Sequence, residues 1–142
     1  MKRRLATILV GDVVGYSSMM ERDEEGTARR IANLTAMVRD KVKVRDGRVF
    51  KTMGDAILAD FASPLNALRC AVEIRNGLAE AAGESLQMRF GLHLADVIES
   101  GDDLMGDGVN LAARIQSSAD PGAIELKRRA FRAGAAELPL QF

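Results

Sequence analysis

The hydrophobic positions of this chain follow two spacings, one typical of strands and one typical of helices. A short apolar run near the N terminus, about Leu5 to Val10, predicts a first strand, which gives way at Gly15 to a helical pattern. Apolar residues then recur three and four positions apart, which makes one buried helix face. They are Ile31, Leu34, Val38 and Val42. Asp23 stands where the N-cap of this helix is expected.

The middle of the chain predicts a hairpin followed by a second long helix. A strand from Arg48 to Met53 bends at Gly54-Asp55 and returns through Phe61. Ser63-Pro64 then has the residue types that cap and begin a helix. The apolar face of that helix runs through Leu65, Leu68, Ala71, Val72 and Leu78.

The last third predicts a strand pair over Met88 to Ile98, a loop rich in Gly and Asp, and a helix from about Gly108 to Ala119 that Pro121-Gly122 ends. Strand, helix, hairpin, helix and strand in this order describe the split βαβ arrangement of a ferredoxin-like sheet. We therefore expect an α+β fold with an antiparallel sheet and its two long helices on one face.

Two aspartates lie at glycine-bearing bends next to apolar strands. Asp12 ends the first run, and Asp55 opens the strand that begins with Ala56. If these strands pair antiparallel, the end of one lies beside the start of the other. Two carboxylates would then converge, which suits magnesium or manganese holding a triphosphate. Taken singly, each residue also has an ordinary interpretation as a cap or turn aspartate.

Length, charge and cysteine content exclude several classes of protein but do not identify a binding partner. The 142 residues, 47% of them hydrophobic, fit a single soluble domain over residues 1–142. Twenty basic and twenty acidic residues cancel, so no overall field attracts nucleic acid or a membrane surface. The chain has a single cysteine, Cys70, which excludes a disulfide framework, and its place on a predicted apolar helix face indicates a core residue. The N-terminal apolar stretch is shorter than a signal peptide needs, and no run approaches 18 apolar residues. We expect a cytoplasmic location.

Three segments together resemble the catalytic domain of bacterial class III nucleotidyl cyclases, which form cyclic AMP or cyclic GMP. GDVVGYS, which contains Asp12, is similar to the first metal motif of the family. KTMGDAILADF, which contains Asp55, is similar to the second. GDDLMGDGVNLAARI is similar to the segment that reads the base and stabilises the transition state. The resemblance covers about residues 3 to 126.

This resemblance assigns a role to each motif residue. Asp12 and Asp55 would ligate two divalent ions, Mg²⁺ or Mn²⁺. The backbone of Val13, Val14 and Gly15 would bind the phosphates.

Four further residues would read the base and stabilise the transition state. Lys51 and Asp103 would select adenine, since an ammonium donates to N1 and a carboxylate accepts from N6. Asn110 and Arg114, four apart on one helix face, would orient the ribose and stabilise charge on the phosphorus. The implied activity is an adenylyl cyclase that forms 3′,5′-cyclic AMP and pyrophosphate from ATP, as a homodimer with sites at the interface.

Other interpretations stay open at this point. After residue 126 the chain runs KRRAFRAGAAELPLQF, which is shorter than the usual end of the family and leaves its triphosphate-binding lysine without a counterpart. That end favours a noncatalytic nucleotide-binding or dimerisation module of the same fold. A diguanylate cyclase, which has a related palm, is disfavoured because the turn reads MGDAI rather than GGDEF.

Overall fold

A computed structural model describes residues 2–82 and 86–126. Its strands are β1 (Lys2–Val13), β2 (Arg48–Met53), β3 (Ala56–Phe61), β4 (Met88–Ser100), β5 (Asp103–Met105) and β6 (Ile124–Leu126). Its helices are α1 (Tyr16–Arg22), α2 (Glu24–Val44), α3 (Pro64–Ala82) and α4 (Asp107–Ser118).

The strands form one sheet in the order β2-β3-β1-β4-β5, with β6 also paired to β4. The pairs of the main path are antiparallel, and only β6 runs parallel to its neighbour. β1 pairs with β4 along its whole length, from Lys2 opposite Glu99 to Val13 opposite Met88. The expected α+β fold with a split βαβ core is confirmed.

The sheet separates two apolar clusters. On the first face, α2 and α3 bury residues such as Leu34, Val38 and Ile74 against Leu9 and Phe90. On the second face, α4 buries Val109 and Ala112 over a smaller cluster. The sheet residues of this smaller cluster are Ala6, Ile8, Val10, Leu58, Ala95, Val97 and Leu104. The two long helices therefore share one face, as expected, and α4 occupies the other.

Both predicted helix caps are present. The side chain of Asp23 accepts a hydrogen bond from the Gly26 N–H at 3.0 Å. The Ser63 hydroxyl oxygen accepts one from the Asn66 N–H at 3.1 Å. These bonds satisfy N–H groups that have no partner inside the helix, which is why the local sequence marks the helix starts reliably.

The predicted strand pair over Met88 to Ile98 is wrong, because this segment is part of the single strand β4. No reversal occurs within it, since β1 offers partners to every residue from Met88 to Glu99. The pair forms later, when β4 turns at Gly101 and pairs with β5. The sequence pattern also left α1 and β6 without a prediction.

Two expectations reach beyond the described residues. The shortened C-terminal end after residue 126 lies outside them, and the single domain over 1–142 includes it, so both stay predictions. Among the helices that the structure describes, none has the length and hydropathy needed to cross a bilayer.

Candidate active site

Asp12 and Asp55 lie side by side at one end of the sheet. Asp12 is the penultimate residue of β1, and Asp55 directly precedes β3, whose Ile57 stands opposite Gly11. The Val13 N–H donates to Oδ2 of Asp55 at 2.8 Å. The antiparallel pairing of β1 and β3 thus brings together the two carboxylates that the sequence singled out.

Asp12 carries a charge in unfavourable surroundings. Burial raises the pKa of its carboxyl group above the ordinary value, and the negative charge of Asp55 raises it further. Arg89 and Gln116 act in the opposite direction. Among the described residues, Oδ1 of Asp12 is buried without a hydrogen-bond partner. A buried carboxylate oxygen beside a second carboxylate needs a cation or a donor.

Arg89 and Gln116 are functional candidates that the motifs did not reveal. Arg89 is half-buried, stands opposite Asp12 in the β1–β4 register and donates from Nε to the Ala119 carbonyl at 3.0 Å. Gln116 is 5% exposed on the inner face of α4. The sequence could have indicated Arg89 by its place between two apolar residues, Met88 and Phe90. Because side chains alternate along a strand and these two are buried on the first face, Arg89 is on the opposite face of the sheet.

The donor set fits a divalent metal that the substrate helps to hold. Mg²⁺ is commonly bound by one or two carboxylates together with substrate phosphates. The described ranges contain no group of three or more His, Cys, Asp or Glu side chains that could hold an ion unaided. Asp12 and Asp55 are the pair available here, and the unpartnered Oδ1 of Asp12 is the kind of atom that a cation would satisfy.

The turn between β1 and α1 follows the two carboxylates. Gly15 has a left-handed backbone with φ of 75°, which glycine adopts without strain. The Val14 N–H already donates to the Gln87 carbonyl at 2.9 Å, and the Val13 N–H to Asp55. Both valine N–H groups are thus engaged, and phosphate binding at Val13, Val14 and Gly15 stays a prediction.

Lys51 and Asp103 form an ion pair, with 3.0 Å between Nζ and Oδ1. Lys51 lies on β2 and Asp103 begins β5, at the two far ends of the sheet order. The hydrogen bond from Lys51 lowers the pKa of Asp103, as does the Leu104 N–H that donates to the same carboxylate. The side chains of Lys51 and Asp103 are 35% and 40% exposed, so a ligand can reach both of them.

Asn110 and Arg114 are exposed on the outer face of α4, while Val109, Ala112 and Gln116 form its buried face. Within the described part of the chain, neither side chain forms a hydrogen bond or an ion pair. The helix packs closely because β4 has a glycine beneath it. A Cβ at Gly91 would come within 2.7 Å of the Ala112 carbonyl oxygen.

Comparison with known proteins identifies the family of this chain. The family model described as adenylate and guanylate cyclase catalytic domain matches residues 2–138. A Rhizobium meliloti protein provisionally named adenylate cyclase 3 is 41% identical over an alignment of 131 residues that covers 88% of this chain and 22% of that protein. The chain spans about a quarter or less of the first curated relatives that it matches.

Solved structures give the same family. The adenylate/guanylate cyclase/hydrolase of Silicibacter pomeroyi superposes with a TM-score of 0.84 at 33% identity, covering 96% of this chain and 83% of that one. The guanylate cyclase domain of RhGC from Catenaria anguillulae, in complex with GTP, reaches 0.85 at 21% identity, covering 98% and 87%. At 21% identity, the similarity to the Catenaria anguillulae domain supports the fold alone. The family match over nearly the whole chain, on this fold, shows that the chain belongs to the adenylate and guanylate cyclase catalytic domain family.

Proposed function

We propose that this chain is an adenylyl cyclase domain that forms 3′,5′-cyclic AMP and pyrophosphate from ATP. The observation that carries the proposal is the convergence of Asp12 and Asp55, with one buried carboxylate oxygen of Asp12 lacking a partner among the described residues. Such a pair is costly unless it binds a cation, and a triphosphate brings the remaining oxygen ligands.

Asp12 and Asp55 would hold two divalent ions, Mg²⁺ or Mn²⁺. When bound, these ions would lower the pKa of the ribose 3′-hydroxyl and neutralise charge on the phosphates. The role of the protein is to present the two carboxylates at a fixed spacing. The hydrogen bond from Val13 to Asp55 and the β1–β3 register supply that rigidity.

The reaction forms one bond and breaks one. The 3′-oxygen attacks the α-phosphorus, its proton leaves to solvent, and the bond from the α-phosphorus to the bridging oxygen breaks to release pyrophosphate. Arg114 would donate to the phosphoryl oxygens as negative charge develops, and Asn110 would orient the ribose. Their four-residue spacing on the outer face of α4 puts both on one side of the helix.

The choice of ATP rests on Lys51 and Asp103. Adenine has an acceptor at N1 and a donor at N6, which match an ammonium and a carboxylate, whereas guanine reverses both. Because Lys51 and Asp103 form a direct ion pair, the two side chains are close enough to contact the same planar base. The name of the Rhizobium meliloti relative agrees with ATP.

The active form would be a homodimer with sites at the interface. Asn110 and Arg114 have no hydrogen-bond or ion-pair partner among the described residues of their own chain, so they are available to a second copy. In a two-fold dimer each interface patch meets its equivalent, and two identical sites result. Each site would combine the aspartates of one chain with α4 of the other.

The test is product formation from ATP and from GTP in separate reactions with Mn²⁺ or Mg²⁺, followed over a range of protein concentrations. We expect cyclic AMP and pyrophosphate in equal amounts, with a specific rate that rises as dimers form. Cyclic GMP as the main product would overturn the substrate assignment. Tight ATP binding without product would favour the noncatalytic module.

A further inference from the structure

A chain of ion pairs crosses four strands on the second face of the sheet. Arg48 of β2 lies 3.4 Å from Asp60 of β3, measured from Nε to Oδ1. The other oxygen of Asp60 lies 2.7 Å from Nη2 of Arg4 on β1. Nε of Arg4 in turn donates to Glu99 of β4. Arg4 thus links two carboxylates, and Asp60 links two guanidinium groups.

The centre of this chain is buried. Asp60 is 6% exposed, which is rare for an aspartate, and it interrupts the apolar run from Ile57 to Phe61. A carboxylate at that depth is tolerated only if charged hydrogen-bond donors compensate its lost hydration. Arg4 and Arg48 supply them. An apolar residue at position 60 would avoid the free-energy cost of burying a charge. We therefore look for a role of Asp60 other than stabilising the fold.

The position of Lys51 and Asp103 indicates what that role is. β2 and β5 are four strand steps apart in the sheet order, which in a flat sheet is roughly 19 Å. The two side chains nevertheless meet at 3.0 Å. The sheet must therefore curl toward one face.

The ion-pair chain lies on the second face, because Arg4 shares the even-numbered side of β1 with the buried Ala6, Ile8 and Val10. Its ends flank the Lys51–Asp103 pair. Arg48 precedes Lys51 by three residues on β2. Glu99 stands opposite Leu104, the neighbour of Asp103. Each ion pair links two neighbouring strands on this face, and the curl of the sheet is toward the same side.

We propose that Arg4 and Asp60 are positioning residues for the base-reading pair, and that the ion pairs across β2, β3, β1 and β4 keep Lys51 and Asp103 close enough together to contact the neighbouring N1 and N6 atoms of one adenine. The consequence for substrate choice rests on the proposed function, whereas the consequence for the Lys51–Asp103 distance does not. We expect neither Arg4 nor Asp60 to contact the substrate.

The experiment compares Arg4→Gln and Asp60→Asn with wild type by NMR titration of the Asp103 carboxyl carbon. In wild type, Lys51 holds the pKa of Asp103 below the ordinary value. We expect this pKa to rise toward the ordinary aspartate value in both variants, because the ammonium moves away. The ATP-to-GTP preference should fall by about two- to tenfold, the equivalent of one imperfect hydrogen bond.

Arg3→Gln is the matched control. Arg3 pairs with Asp96 at 3.2 Å, but both side chains are more than half exposed, and Arg3 is on the odd-numbered side of β1. We expect it to leave the pKa of Asp103 and the nucleotide preference unchanged. If Arg4→Gln or Asp60→Asn does not fold, Glu99→Gln removes the β4 end of the same chain of pairs, where the side chain is 34% exposed, and the same rise is expected.

An unchanged pKa of Asp103 in a folded Arg4, Asp60 or Glu99 variant overturns the proposal, even if its melting temperature falls, because the ion pairs are then only stabilising. If the protein makes no cyclic nucleotide at all, the proposed function fails. The titration still decides the positioning role.

Discussion

The Val13 N–H donates to Oδ2 of Asp55 at 2.8 Å, and this bond joins the residue after Asp12 to the second carboxylate. It holds two negative charges close together in a partly buried setting, where the charge of Asp55 raises the pKa of Asp12. A site of this kind is poorly satisfied by the protein alone, and a bound cation would offset the repulsion between the two carboxylates.

The first prediction concerns this metal pair. Asp12→Asn and Asp55→Asn should each lower turnover by more than about 100-fold, because losing a ligand exceeds the 10–100-fold effect of outer-shell changes. Mn²⁺ with a nonhydrolysable ATP analogue should raise the melting temperature of wild type but not of either variant. Without metal, Asp12→Asn should melt no lower than wild type, since a buried repulsion is removed.

Asp120→Asn is the control, because Asp120 is exposed beyond the end of α4. It should retain both turnover and the metal-dependent shift. An Asp12 or Asp55 variant that keeps the full thermal shift at saturating Mn²⁺ would contradict the metal assignment.

The second prediction concerns base choice. Lys51→Glu combined with Asp103→Cys should lower the use of ATP relative to GTP, because neither side chain then matches the donor and acceptor of adenine. The ratio of the two rates is the measurement, since a loss of total rate alone is uninformative. A constant ratio in a folded double variant would mean that these residues do not read the base.

A third prediction concerns stability and pH. Arg45, at the end of α2, donates two hydrogen bonds to Glu73 of α3, at 2.8 and 2.6 Å. This contact lowers the pKa of Glu73, so the folded state holds the charged form more strongly than the unfolded state. The stabilisation is therefore fully present above the ordinary glutamate range and is lost as pH falls through the lowered pKa. Because both side chains are about a third exposed, the effect is small.

Its measurement is the melting temperature of Glu73→Gln against wild type from pH 7 to pH 3. We expect the variant to melt slightly lower near neutral pH and the difference to vanish at the acid end. Asp40→Asn, on the exposed side of α2, serves as the control. A difference that persists unchanged at pH 3 would show that the ion pair is not its source.

Local signals in the sequence predicted much of the fold. The spacing of Leu34, Val38 and Val42 gave the buried face of α2, and Asp23 and Ser63 gave the helix starts, because these depend on neighbours within one or two turns. The prediction of a strand pair over Met88 to Ile98 was wrong because this segment is shaped by a distant part of the chain. The continuity of β4 depends on its distant partner β1, which the local alternation does not contain.

In the candidate site, too, the features set by local sequence were predictable and those set by contacts between distant segments were not. The convergence of Asp12 and Asp55 follows from two strand ends and an antiparallel pairing, so it was predictable. The approach of Arg89 and Gln116 to Asp12 depends on how α4 lies over Gly91, a contact between distant segments. Asp60 could have been noticed in the sequence as a single charged residue within an apolar run. Its partners Arg4 and Arg48 could not, because they come from other strands.

Mixing two inactive variants tests whether two copies of the chain share each active site. Asp55→Ala and Arg114→Ala should each be inactive as pure proteins, because every site lacks one group. In a mixed dimer one site lacks both groups and the other keeps both. Random pairing puts one intact site in about half of the dimers, so the recovered rate should approach roughly a quarter of wild type.

The measurement is cyclic AMP formation by the equimolar mixture, with the mixed dimer quantified by two different affinity tags. We expect activity that is absent from either variant alone and that falls on dilution as dimers separate. A mixture that stays as inactive as its components, while mixed dimers are present, would show that the two chains do not share their active sites.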